Sequence, residues 1–165
     1  MRILPLEPLT AVAFAPFGDV IDVHTPCEQL SINDARTVRH HALAAVDCAQ
    51  GGGEAAISLF RADPIDPQFT LRRMERHPLG SQSFINTSGN PYAIVVAPPG
   101  NLDEQAICAF LAGAGQSVSY HRGVWHHYLL ALHTRSDFVV VDRVGPGDNC
   151  DEQVLATPLR LAVPQ

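Results

Sequence analysis

The chain has 165 residues, 46% of them hydrophobic, and a formal net charge of -6, which allows one hydrophobic core and leaves little for a second domain. Nucleic acid is disfavoured as a partner, because phosphate neutralisation needs a basic surface, and no stretch approaches the roughly 20 uninterrupted apolar residues of a membrane-spanning helix. All eleven basic residues are arginine, so Schiff-base chemistry on a lysine is excluded as well.

In chain order, "MRILPLEPLT" has Pro5, Glu7 and Pro8 where an export signal needs an apolar run, so a soluble cytoplasmic protein is expected. "TAVAFAPFG" predicts a short helix capped by Thr10 and ended by Pro16 and Gly18. "AQGGGEA" (49 to 55) reads as a flexible turn. Seven short apolar runs bounded by Gly, Pro, Asn and Asp then predict strands at 55–60, 68–75, 81–85, 92–97, 116–121, 126–132 and 137–143. Within this series "NLDEQAICAFLAG" has acids at its start and a terminal glycine, which predicts a second short helix near 103–112. "VGPGDNCDEQ" reads as a loop leading into an extended, proline-containing tail over 144–165. Cys27, Cys48, Cys108 and Cys150 form no C-x-x-C pair and fit unpaired thiols in a reducing compartment. The expectation is a single all-β domain over 1–165, an antiparallel sandwich or barrel with one or two short peripheral helices, on which the segment 1–54 packs.

The chemistry is concentrated in two stretches. "MERHPLGSQSFINTSG" spaces Glu75, His77, Gln82 and Gly89, and "GQSVSYHRGVWHHYLL" spaces Gly115, His121, Gly123, His126 and Leu130. Both spacings resemble the two motifs of the cupin superfamily, which place metal ligands inside a small β-barrel or jelly roll. Side chains two apart on a strand share a face, so Glu75 and His77 point together, and the "PLG" turn lets Gln82 join them from the returning strand. Gly123 permits the tight turn that delivers His126. Glu75 stands where the motif has His, Gln82 where it has Glu, His121 for Pro, Leu130 for Asn and Phe69 for Gly. The expected metal set is Glu75, His77, Gln82 and His126, a mixture of imidazole and oxygen ligands that suits Ni, Mn, Fe or Zn better than Ca or Mg. Gln82 is equally open to holding His77 by a hydrogen bond.

Beyond spacing, "FAPFGDVI", "ISLFRADP", "MERHPLGSQSFI", "VSYHRGVWHHYLLAL" and "DFVVVDRVGPGDNCDE" resemble the bacterial ureidoglycolate lyase family over nearly the whole chain. Asn86, Gly123 and Tyr128 depart from that family's pattern, two of them where proline is usual. The resemblance implies cleavage of (S)-ureidoglycolate to glyoxylate and urea in allantoin breakdown, a divalent metal with nickel first, a small-molecule substrate and a homodimer. The alternatives are another metal-dependent cupin enzyme on a small hydroxy acid, and a non-catalytic cupin that binds such an acid.

That reaction wants a base at the substrate hydroxyl and an acid at the departing nitrogen. His121 is the expected acid, and Glu75 serves as base or as ligand. Arg61 is expected to bind the substrate carboxylate, or else to pair with Asp63 or Asp142. Gln82 and Trp125 are the other substrate contacts, with core filling the competing role for Trp125. His127 alternates to the opposite face from His126, for a surface or dimer contact.

Overall fold

Strand-forming residues fill the chain in runs of two to eleven. In a computed structural model describing residues 1–164 they form β1 (Arg2–Leu4), β2 (Leu6–Pro8), β3 (Gly18–Ile21), β4 (Gln29–Ile32), β5 (Thr37–His40), β6 (Glu54–Ala62), β7 (Thr70–Arg76), β8 (Gln82–Asn86), β9 (Tyr92–Ala97), β10 (Cys108–Ala112), β11 (Ser117–Tyr120), β12 (Trp125–His126), β13 (Leu130–Ala131), β14 (Ser136–Val144) and β15 (Asp151–Leu161). One short helix, α1 (Ala11–Phe14), begins where expected, with the Thr10 hydroxyl accepting from the Ala13 amide at 3.2 Å.

The larger sheet runs β1-β15-β7-β12-β9-β10-β2, with β13 also on β9, and the smaller runs β3-β11-β8-β14-β6. Together they make a nearly closed barrel, the all-β architecture that the strand pattern predicts. Strand β9 shows how the core is divided. Tyr92, Ile94 and Val96 point between the sheets to meet Phe84, Val118, Phe138 and Val140, while Ala93, Val95 and Ala97 point the other way to Leu71, Trp125 and Leu159. All six residues are buried, as a strand covered on both faces requires.

The second expected helix is corrected. Asp103 does cap a 3₁₀ turn at Glu104–Ala106, its carboxylate accepting from the Gln105 amide at 2.9 Å, but Cys108–Ala112 is strand β10 between β9 and β2. Phe110 enters one core cluster and Ala109 the other, and burial on two faces outweighs the helical spacing of the apolar residues. The run at 126–132 is interrupted: β12 and β13 are two residues each, separated by 127–129. The expected tail contains an eleven-residue strand, β15, paired with β7. Its register shifts between Val154 and Leu159, around Pro158, which has no amide to give a ladder.

Candidate active site

Strand β7 delivers Glu75 to the barrel interior, directly opposite His126 on β12. His77 lies just past the end of β7, and its carbonyl accepts from the Gly123 amide at 2.9 Å. Gly123 sits at φ 77°, a conformation that favours glycine, so the two motifs are joined by their turns as well as by their strands. Ligand atoms of Glu75, His77 and His126 all lie within 4.8 Å of one another. Gln82, the first residue of β8, shares a cavity of about 300 Å³ with Glu75, bordered by Phe60, Phe84, Tyr128 and Leu129.

The hydrogen bonds fix which ring and amide atoms are left with free lone pairs. His77 Nδ1 is 2.6 Å from the Asn149 carbonyl, and a carbonyl only accepts, so the proton is on Nδ1 and the lone pair on Nε2. His126 Nδ1 is 3.2 Å from the His127 carbonyl, with the same consequence, and 3.7 Å from Glu75 Oε1. The Gln82 amide nitrogen donates to Asp142 at 3.1 Å, leaving its oxygen. Nε2 of His77, Nε2 of His126 and Oε1 of Gln82 are buried with no donor among the described residues. Three buried lone pairs beside a carboxylate are costly unless an electrophile completes them. The donor set therefore fits a divalent transition metal ion held by Glu75, His77 and His126 with the amide of Gln82.

Electrostatics agree with that chemistry. Burial, reinforced by His77, pushes the His126 imidazolium down to about 3, so this ring is a lone-pair donor at any ordinary pH. Burial also raises the Glu75 carboxyl, with Glu152 acting in the same direction and His77 and Arg73 opposing. The Tyr120 ring stacks on His126 at 4.5 Å and 5°, holding the imidazole plane. A second group, Glu75, Cys150 and Glu152, also has ligand atoms within 4.8 Å, although Glu152 is paired with Arg73 at 3.1 Å.

Two expected site residues lie elsewhere, and a third reaches the cavity wall with its charge already paired. His121 is about half exposed and bonds Asp19 at 3.1 Å, outside the Glu75 cluster. Tyr120 takes the inward position beside it, and the turn at Gly123 follows before the chain re-enters the barrel. Trp125 is 4% exposed in the core cluster behind the larger sheet, its indole N–H donating to the Gly100 carbonyl at 2.9 Å and Arg76 over its ring. Alternation from His126 puts it there, and it is core filling. Arg61 borders the cavity, but Asp137 takes its guanidinium in a bidentate pair at 2.8 and 2.9 Å. Phe60 leans on Phe84 at 5.8 Å, so strand alternation turns Arg61 to the opposite face of β6. The acids first considered for it are used otherwise: Asp63 by Arg135, Asp142 by Gln82. His127 does alternate away from His126, but it is 3% exposed and packed edge-on against Phe69, not a surface group.

Asp142, Asn149 and Tyr120 were not anticipated. Tyr120 could have been found from its place one residue before His121 on a strand whose inward face leads to His126. The Asn149 contact was hidden in a glycine-rich loop, where a backbone carbonyl carries the interaction and no side-chain pattern announces it.

The family description "Ureidoglycolate lyase" matches residues 1–162. A ureidoglycolate lyase of Pseudomonas fluorescens strain Pf-5 is 50% identical over 98% of this chain and 96% of its own. One of Pseudomonas putida strain W619 is 52% identical over 92% of this chain and 91% of its own, and one of Pseudomonas syringae pv. tomato is 49% identical over 99% and 96%. Among solved structures, a chain of oxalate decarboxylase aligns with 61% of this chain and 24% of its own at TM-score 0.39 and 14% identity, too slight a likeness to bear on function. With relatives half identical along almost their full length and a family match from end to end, the chain belongs to the ureidoglycolate lyase family.

Proposed function

We propose that the protein cleaves (S)-ureidoglycolate to glyoxylate and urea, using a divalent metal, nickel before manganese, iron or zinc, held by Glu75, His77, Gln82 and His126. The observation that carries this reading is the clustering of ligand atoms of Glu75, His77 and His126 within 4.8 Å, with buried, unpartnered lone pairs on both imidazoles and on Gln82, which shares the cavity with Glu75. When bound, such an ion supplies Lewis acidity to a hydroxyl and a carboxylate on neighbouring carbons.

The net proton movement of the reaction is internal to the substrate. The hydroxyl loses a proton, C=O forms as the C–N bond breaks, and the departing urea nitrogen gains a proton. One group that accepts and then returns it is sufficient. Where the ion leaves Glu75 free, this carboxyl, raised by burial, suits that shuttle better than an exposed carboxylate would; base and ligand are alternative roles for it. Phe60, Phe84 and Leu129 give the cavity an apolar wall beside Glu75.

A product assay on purified, metal-loaded protein tests this. Stoichiometric glyoxylate and urea are expected, whereas ammonia and carbon dioxide would identify hydrolysis of the ureide and sink the lyase reading.

A cytoplasmic homodimer is part of the same proposal. The four cysteines are free, as in a reducing compartment, and Ile57 and Leu59 on edge strand β6 are 79% and 65% exposed, an apolar edge that a second subunit would cover. Ile57→Asp combined with Leu59→Glu is expected to shift sedimentation from dimer to monomer; an unchanged dimer would place the interface elsewhere.

A further inference from the structure

We propose that Asp142 is the positioning residue that turns the carbonyl oxygen of Gln82 toward the ion. The inference rests on the metal reading above and goes beyond it, because it explains how an amide serves as ligand. An amide is planar, with nitrogen and oxygen on opposite sides, and nothing intrinsic decides which faces the cavity. Asp142 decides it. Its carboxylate can only accept, and it lies 3.1 Å from the Gln82 nitrogen. The oxygen is therefore turned away from Asp142, where it is buried with no donor.

The strands make the pairing obligatory. Val141 on β14 stands opposite Ser83 on β8, which brings Asp142 beside Gln82 on the inward face. Gln82 is 6% exposed, so water does not compete for its nitrogen. A negative charge on the amino side of the amide also polarises the group, raising electron density on the oxygen. Gln82 and Asp142 thus act as a unit in which the charge sits one residue behind the ligand atom.

A unit of this kind predicts a reversal of sign. With Gln82 in place, Asp142→Asn frees the amide to flip, and affinity for Ni²⁺ and Co²⁺ falls about tenfold, the scale typical of residues that orient ligands. Gln82→Glu alone brings two carboxylates together and gains nothing in affinity, although a carboxylate is the stronger ligand. In the Gln82→Glu background, Asp142→Asn removes that repulsion and tightens binding about tenfold beyond wild type.

The experiment is a double-mutant cycle on the full chain. Ion affinity is read by competition with a chromophoric chelator, the visible spectrum of bound Co²⁺ reports the ligand field, and thermal melts confirm folding. Asp142→Asn weakening binding in one background and tightening it in the other is the expected result, because a merely structural role moves both the same way. Equal or absent effects in the two backgrounds overturn the proposal. So does Gln82→Glu tightening binding tenfold with Asp142 intact, a result that needs no Asp142 variant to fold. A wild-type protein that binds neither ion removes the metal reading itself, and the role of Asp142 with it; a wild type that binds normally beside an unaffected Asp142→Asn leaves that reading standing and removes this inference alone.

Discussion

At the scale of single residues, position on the strand separates groups that residue type alone would treat as equals. His121 and His126 are both histidines of one motif, yet the first bonds an exposed acid and the second is sealed behind Tyr120. His121→Gln is therefore expected to keep kcat/KM within about threefold, while Glu75→Gln, which removes the proposed shuttle, lowers kcat about a hundredfold or more. Steady-state kinetics on the two variants decides the assignment; a large loss from His121→Gln would return it to the chemistry. The approach of Glu75 to His77 and the cavity it shares with Gln82 were legible because a fixed hairpin spacing ties these residues together whatever surrounds them. Arg61 and Trp125 were not, since the face each presents depends on which strands flank it, and β14 supplying Asp137 to Arg61 is a long-range fact.

At the scale of elements, the same contrast separates local from non-local signals. The cap of α1 was legible because Thr10 bonds an amide three residues on, whereas β10 and β15 owe their state to partners far away in the chain. Gly18 belongs to both levels. As a helix terminator it reads as one glycine among many, but it opens β3 opposite Tyr120 on β11, and a Cβ added there would lie 2.0 Å from the Ser119 carbonyl oxygen. Backbone cannot yield as a flexible side chain does. Gly18→Ala is accordingly expected to push β3 off β11, costing about 3 kcal/mol and loosening Tyr120 against His126. A lowered Tm together with weakened metal binding is the expected pair of results, and an unchanged Tm would mean that the ladder has slack the close approach denies.

At the scale of the whole molecule, two neighbouring imidazoles buried in neutral form couple the fold to pH. Burial pushes His126 down to about 3 and His127 down to about 4, both well below the value near 6.5 of an unfolded chain. Below 6.5 the unfolded chain therefore takes up protons that the folded chain refuses, and stability that is complete above that pH is lost as pH falls toward those folded values. Glu75, shifted upward by burial, works in the opposite sense, since the folded form takes its proton first and recovers part of the loss near the carboxylate range. Between pH 6.5 and 5 the two histidines together cost about 3 kcal/mol, roughly 1.6 each, a large share of a typical stability of about 5–15 kcal/mol. Metal-free protein is thus expected to lose about 10 °C in Tm over that interval, and His127→Phe, which keeps the contact with Phe69 but cannot be protonated, to lose about half as much. Metal-loaded protein starts higher and falls more steeply, because protons compete with the ion for His77 and His126. A Tm that stays level from pH 6.5 to 5 in the metal-free protein would show that these rings reach solvent, and the dry interior on which the lone-pair argument depends would go with them.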